Sequence, residues 1–279
     1  VVYARGTPLH APCRRTRAGM QERQRMELPF QIQQIPKQRI RACGISERGS
    51  EKWLIKEIEM NYEKEIVKKI NELSGSRSPY EVFCDWIKCT ALAISNFTDL
   101  HKDTVWQKRE EEYLKTIRPY GPDAVGIVEM KDLLILALEE NMSDVLGKVY
   151  MDSGCGNKNT GQFFTPFHLS MLTAQCTLPT NVDPQNPLIL NEPSCGSGGM
   201  IIAAAKALKD RNIDFGRAMK VVAQDLDWKG VYMTYIQLSL LGINAIVVQG
   251  NTLHDPFENL KTYPPEQIFR TPMQKGLLI

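Results

Sequence analysis

Residues 191–200 read NEPSCGSGGM and stand between the apolar run Pro187-Leu188-Ile189-Leu190 and the small-residue run Ile201-Ile202-Ala203-Ala204-Ala205. A short apolar strand, a glycine-rich turn and a helix in that order mark the first turn of an open α/β sheet, where ligands sit beyond the carboxyl ends of the strands. Gly196, Gly198 and Gly199 leave the main chain open to a ligand, and the following helix offers its free N–H groups. The turn is not the dinucleotide fingerprint G-x-G-x-x-G, because counting from Gly196 puts Ile201 at the third glycine position; nor does it hold the Gly-Lys-Ser/Thr of a phosphate loop. Glu192, at the strand's end, would repel a phosphate. A carboxylate there suits a ligand with an ammonium or sulfonium centre.

Outward from this turn, apolar runs and helical patterns alternate. A Gly/Asn-rich loop leads into GQFFTPFHLSMLTAQCTL, where Thr165 and Pro166 open a helix. The pattern then predicts strands at Leu188–Ser194, Lys220–Asp225 and Ala245–Gln249, with helices at about Gly199–Lys209 and Lys229–Leu241. That alternation implies an α/β fold with a parallel, doubly wound sheet. Asp225, at the tip of the second strand, is placed to accept hydrogen bonds from the two hydroxyls of a ribose. Asp227 reads as the cap of the next helix. Asn251, after the third strand, fits either an adenine edge or an ordinary tight turn.

Upstream, residues 60–150 have helical periodicity throughout. Ile66, Ile70 and Leu73 share a face that Gly75 terminates, Ser78-Pro79 starts a second helix, Thr104–Ile117 is a charged third, and Met130–Tyr150 reads as a fourth. Residues 1–59 carry twelve Lys and Arg against six Asp and Glu with few periodic apolar positions. They read as a basic, disordered leader, either an extension upstream of a start at Met60 or an arm that contacts nucleic acid. The remaining residues are mildly acidic, so contact with DNA requires a local basic patch, that leader or a partner.

The 279 residues are 43% hydrophobic, enough for a sizeable core, and no run of 18 apolar residues or secretory h-region occurs. A cytoplasmic protein without membrane contact is the expectation. Seven cysteines with no C-x-x-C pair and four scattered histidines argue against a disulfide framework and against a metal site. Cys195 reads as a small packing residue rather than a nucleophile.

Taken in order, GQFFTP, NEPSCGSGG and VVAQDLD resemble the S-adenosylmethionine-binding motifs of adenine-N6 DNA methyltransferases, above all the modification subunits of type I restriction-modification systems. The likeness covers about residues 60–255 and implies a Rossmann-like methyltransferase fold, incomplete at its C-terminus, in residues 151–279, preceded by a helical domain in 60–150. By position it implies that Gln162, Phe163, Phe164, Thr165 and Pro166 close over the cofactor S-adenosylmethionine. Glu192 and Pro193 match the acid-proline pair, and Gly196, Ser197, Gly198 and Gly199 the turn. Asp225 matches the ribose acid, and Asn251 stands where the family often has an acid on the adenine amine.

One part of the family pattern has no counterpart. The catalytic Asn/Asp-Pro-Pro-Tyr/Phe tetrad holds a flipped adenine; Tyr263-Pro264-Pro265-Glu266 has the two prolines but neither the amide nor the aromatic ring in place, and it reads as a loop. No catalytic residue is therefore assigned. The implied function is DNA adenine-N6 methylation, with DNA, a specificity subunit or a second methyltransferase polypeptide as partners. The alternative is a cofactor-binding regulatory or assembly subunit without catalysis. A nicotinamide-dependent oxidoreductase fits Asp225 but not Ile201 or GQFFTP.

Overall fold

A computed structural model of the chain describes residues 60–154, 164–256 and 262–277. The chain divides after Glu59, and residues from Met60 onward form one compact unit; the basic leader lies outside the described residues.

The helical part begins with α1 (Tyr62–Ser74), which Asn61 caps by accepting from the Lys64 N–H and which turns its Ile66 and Ile70 inward before Gly75 ends it. In α2 (Pro79–Phe97), Ser78 and Glu81 form a reciprocal capping box, which satisfies two N–H groups the helix start would otherwise leave open. Asp103 caps α3 (Thr104–Ile117), a helix with no fully buried residue, as its charged run implies. A 3₁₀ turn (Arg118–Asp123) then leads into α4 (Ala124–Glu140) and α5 (Val145–Asp152). The helix expected over Met130–Tyr150 is thus two helices. Asn141 is extended, and Asp144 accepts from the Gly147 N–H to start a new helix; a short acid that bonds its own downstream backbone competes with helix continuation.

In the sheet part, α6 (Phe167–Thr177) starts directly after Pro166. It is followed by β1 (Leu188–Glu192), α7 (Gly199–Asp210), the short α8 (Phe215–Ala218), β2 (Met219–Asp225), α9 (Trp228–Leu240), β3 (Ala245–Gln249) and β4 (Ile268–Arg270). The first strand stops short of the expected Ser194, just before Pro193, which has no N–H for a ladder. The spatial order is β1-β2-β3-β4. The first three strands are parallel, with Glu192 opposite Ala223 and Asp225 opposite Gln249, and β4 runs antiparallel to β3. The Tyr263-Pro264-Pro265-Glu266 stretch is not wholly irregular, since Pro265–Gln267 forms a 3₁₀ turn that feeds β4.

The α/β, Rossmann-like run β1–α7–β2–α9–β3 is therefore present, with one difference from the expected winding. Each strand adds on the same side of its predecessor, so right-handed crossovers put α7 and α9 on one face. Val221, Ala223, Val247 and Phe269 point into that layer and are buried, whereas Ile189, on the other face, is 69% exposed. Among the described residues the sheet is wound in a single direction.

The helical part packs on the same layer, with α2 and α5 both against α9. Phe83, Trp86, Leu146 and Tyr150 merge with Met233, Tyr235 and Phe269 into one apolar core. Each such side chain contributes roughly 1.5–3 kcal/mol on burial. The tips of β1 and β2 are thereby held against helices from the first half of the chain. No described helix is long and apolar enough to cross a membrane.

Candidate functional site

Beyond the tips of β1 and β2 lies a cavity of about 290 Å³ whose floor is the turn Ser194–Gly199. Local hydrogen bonds determine the shape of that turn. The Cys195 N–H donates to the Gln224 carbonyl at 2.9 Å and the Gly198 N–H to the Cys195 carbonyl at 2.7 Å. Thr234 Oγ1 of α9 donates to the Gly196 carbonyl at 3.0 Å. Gly198 has φ +91°, and a Cβ there would lie 3.1 Å from Thr234 Oγ1; a side chain would meet both strain and crowding. Cys195 is buried and burial pushes its thiol well up, as expected of a packing residue rather than a nucleophile.

Asp225 ties the second strand to this turn. Its Oδ2 accepts from the Gly196 N–H at 2.7 Å and its Oδ1 from the Asp227 N–H at 2.9 Å. Each oxygen keeps a further lone pair for a ligand hydroxyl. Close approach of α9 makes room for it: a Cβ on Gly230 would stand 2.7 Å from the Asp225 Cγ. As the sequence predicted, Asp227 caps α9 by accepting from the Lys229 N–H at 2.9 Å. The Lys229 ammonium stands 3.0 Å from Asp227 Oδ2 and 5.1 Å from the Tyr80 ring centroid.

The cavity is acidic. Burial pushes the Glu192 carboxyl above its ordinary range, the Asp225 charge adds to that, and a hydrogen bond from the Ser194 N–H pulls the other way. Burial likewise raises Asp225, against the hydrogen bonds from the Asp227 and Gly196 N–H groups. Glu192 and Asp225, desolvated beside Asp227 and on the same lining as the buried Asp144, with Lys229 as the cation among the described lining residues, favour a ligand that brings positive charge and hydroxyl donors. A phosphate would meet like charge.

Among the residues singled out in the sequence, Phe164, Thr165, Glu192, Gly196, Ser197, Gly199 and Asp225 line this one cavity. The Phe164 ring lies against Gly196, 3.0 Å from where a Cβ would be, and meets Tyr150 edge-on with centroids 5.3 Å apart. Pro166 stands at the N-cap of α6, outside the lining. The Pro193 carbonyl accepts from Thr252 Oγ1 at 2.6 Å, which ties the turn to the loop after β3. Gly198 shapes the turn without lining the cavity, and Gln162 and Phe163 lie outside the described residues. Asn251 does not line the cavity; its Oδ1 accepts from the Leu253 N–H at 3.1 Å and its carbonyl from His254 and Asp255. The tight-turn alternative describes that position.

Sequence reasoning missed Asp144, Tyr150, Lys229, Gly230 and Met233, all of which line the cavity. Asp144 and Tyr150 sit in the stretch read as one continuous helix, where a cap signal ahead of Gly147 was hidden. Gly230, five residues past the strand-end acid Asp225, was the legible hint that a helix must pass close by.

Residues 142–269 match the family model described as N-6 DNA Methylase. No curated protein matches the chain. Among solved structures, the methyltransferase subunit of a type I restriction-modification system from Streptococcus thermophilus is 18% identical, with a TM-score of 0.38; the match covers 73% of this chain and 41% of that one. A putative class I S-adenosylmethionine-dependent methyltransferase from Listeria monocytogenes is 13% identical, with a TM-score of 0.39, covering 69% of this chain and 54% of the other. The chain thus spans about half the length, or less, of these two structures.

Proposed function

The stretch 142–269 belongs to the N-6 DNA methylase family, and from that premise we propose that this chain binds S-adenosylmethionine for adenine-N6 methylation of DNA in a restriction-modification system. The observation that carries the reading is the pairing of Glu192 and Asp225 on one cavity wall. Both are carboxylates raised by burial, set over a glycine turn in a site with no phosphate-binding lysine loop.

In this reading Asp225 accepts from the ribose hydroxyls. The carboxylates of Glu192 and Asp225 offset the positive charge of the ligand. Phe164 and Thr165, with Gln162, Phe163 and Pro166, cover it from the α6 side, and Pro193, Gly198 and Gly199 keep the turn in shape. Asn251 serves the adenine end only through its turn. When bound, S-adenosylmethionine would supply an electrophilic methyl group on its sulfonium centre for direct transfer to the adenine N6, with S-adenosylhomocysteine leaving and the N6 proton released. The chain's own contribution is orientation and a preorganised, acidic site rather than covalent catalysis.

The base-binding tetrad does not occur in the 279 residues. Transfer needs a tetrad from outside these 279 residues, and a specificity subunit would choose the DNA sequence. A second reading is a cofactor-binding assembly or regulatory subunit without transfer. Both readings place residues 151–279 as the cofactor domain and 60–150 as its helical companion, in the cytoplasm. A calorimetric titration with S-adenosylmethionine, run beside a methyl-transfer assay with labelled cofactor on mixed DNA, separates them. Binding with transfer supports the first, binding without transfer at high protein concentration the second. Failure to bind S-adenosylmethionine, with binding of NAD in its place, would sink both.

A further inference from the structure

The best-buried acid at the cavity belongs to the helical part of the chain. Asp144, only 7% exposed at the N-cap of α5, has a carboxylate with every partner accounted for. Its Oδ2 accepts from Ser197 Oγ at 2.5 Å, and its Oδ1 accepts from Gln237 Nε2 and from the Gly147 N–H, each at 2.9 Å. Gln237, fully buried on α9, closes the ring. It donates to the Ser197 carbonyl at 2.8 Å and accepts from the Leu146 N–H at 3.1 Å. Three segments, α5, α9 and the glycine turn, are thus joined by one satisfied polar network.

Resting on the cofactor reading above, we propose that Asp144 is a positioning residue for S-adenosylmethionine, holding the glycine turn in its binding shape through Ser197 and Gln237. Capping α5 alone does not account for the arrangement. An exposed Ser, Asn or Asp caps a helix equally well, whereas a buried carboxylate carries a desolvation cost that its partners must offset. Its bonds converge on Ser197, between Gly196, whose N–H reaches Asp225, and Gly198, whose φ is +91°. Such a turn has little steric stiffness of its own. Asp144 and Asp225 hold it from two different elements, one at the start of α5 and one at the tip of β2.

The test compares wild type, Asp144→Asn, Ser197→Ala and the double variant. Ser197→Ala leaves the α5 cap and the Gln237 bonds in place, so it remains informative if Asp144→Asn folds poorly. Amide hydrogen exchange over residues 194–199, measured without cofactor, should speed up about tenfold in each single variant, the scale set by losing a charged hydrogen bond. Affinity for S-adenosylhomocysteine should fall by a similar factor, with the double variant no worse than the weaker-binding single, because both act on one shared bond: Ser197→Ala removes it and Asp144→Asn leaves at most a neutral amide-to-hydroxyl contact. Unchanged exchange in the turn, unchanged affinity despite faster exchange, or additive losses would each overturn the proposal. A merely structural role would lower the unfolding midpoint and leave the affinity of the folded protein alone. If wild type fails to bind S-adenosylhomocysteine, the cofactor reading and the cofactor role of Asp144 fail together; the exchange comparison still shows whether Asp144 holds the turn.

Discussion

The Asp225 carboxylate accepts the Gly196 N–H at 2.7 Å across the tips of two neighbouring strands, so one side chain both offers oxygens to a ligand and fixes the turn beneath it. Asp225→Ala removes both contributions at once. Affinity for S-adenosylmethionine should fall by about 1–3 kcal/mol, the range for losing charged hydrogen-bond partners, when measured by calorimetry on folded protein. Unchanged affinity would rule out Asp225 as the ribose acid.

Gly230 tests the same pocket from behind. A methyl group there would lie 2.7 Å from the Asp225 Cγ and 2.8 Å from its Oδ2, inside any tolerated contact. In Gly230→Ala the short aspartate must swing away from the α9 backbone and break its bonds to Gly196 and Asp227. Helix propensity alone would favour alanine by up to about 1 kcal/mol. Losing two carboxylate hydrogen bonds outweighs that gain, so cofactor affinity should fall at least about tenfold, on the same charged hydrogen-bond scale, and thermal stability should fall with it. A variant that binds as tightly as wild type would show that Asp225 does not need its present position.

How much of this was legible beforehand depended on how local the signal was. The capping box at Ser78, the stop at Gly75 and the Asp227 cap rest on contacts a few residues apart, and the sequence displays those directly; the three strands show in their own apolar runs and in the helices between them, although their pairing joins residues such as Leu188 and Met219. Asp225 and the glycine turn were legible because strand tip and turn occupy fixed places in any such sheet. Asp144 was not, because its meaning depends on Ser197 and Gln237, 53 and 93 residues away, and nothing local distinguishes its stretch from continuous helix. The single winding direction was hidden for a similar reason, since alternation of strands and helices does not encode the side on which each strand adds.

The pKa directions set how binding depends on pH. Burial raises the Glu192 and Asp225 carboxyls in the free protein, and a cationic ligand beside them favours the ionised forms and lowers those values again. Protons are then released on binding, so affinity rises with pH through the interval just above the ordinary carboxylate range and levels off beyond the raised values. For folding without ligand the sign is opposite: raised acids add stability below the ordinary values and lose it as pH climbs through the raised ones. Titrations in two buffers of different ionisation enthalpy measure the proton count. Proton uptake on binding, or an affinity flat from mildly acidic to neutral pH, would contradict the acidic-wall assignment.

Phe164 provides the last test, because it meets the turn at Gly196, the residue that Asp225 also holds. Its ring touches the Gly196 position and packs edge-on against Tyr150, with centroids 5.3 Å apart, so it links the segment before α6 to α5. Half-buried over the cavity, it contributes less to folding than a fully enclosed ring, for which truncation costs about 3–5 kcal/mol. Phe164→Ala should accordingly lower stability by about 1–2 kcal/mol, a partial share of that burial, and weaken the cofactor by removing one wall of its site. Phe164→Leu, which keeps apolar bulk, should recover most of the stability and only part of the affinity, because a branched aliphatic chain does not reproduce the ring's reach from Tyr150 to Gly196. Urea unfolding and calorimetry on the two variants separate these effects, and full recovery of affinity by leucine would reduce Phe164 from a shaped wall to simple packing.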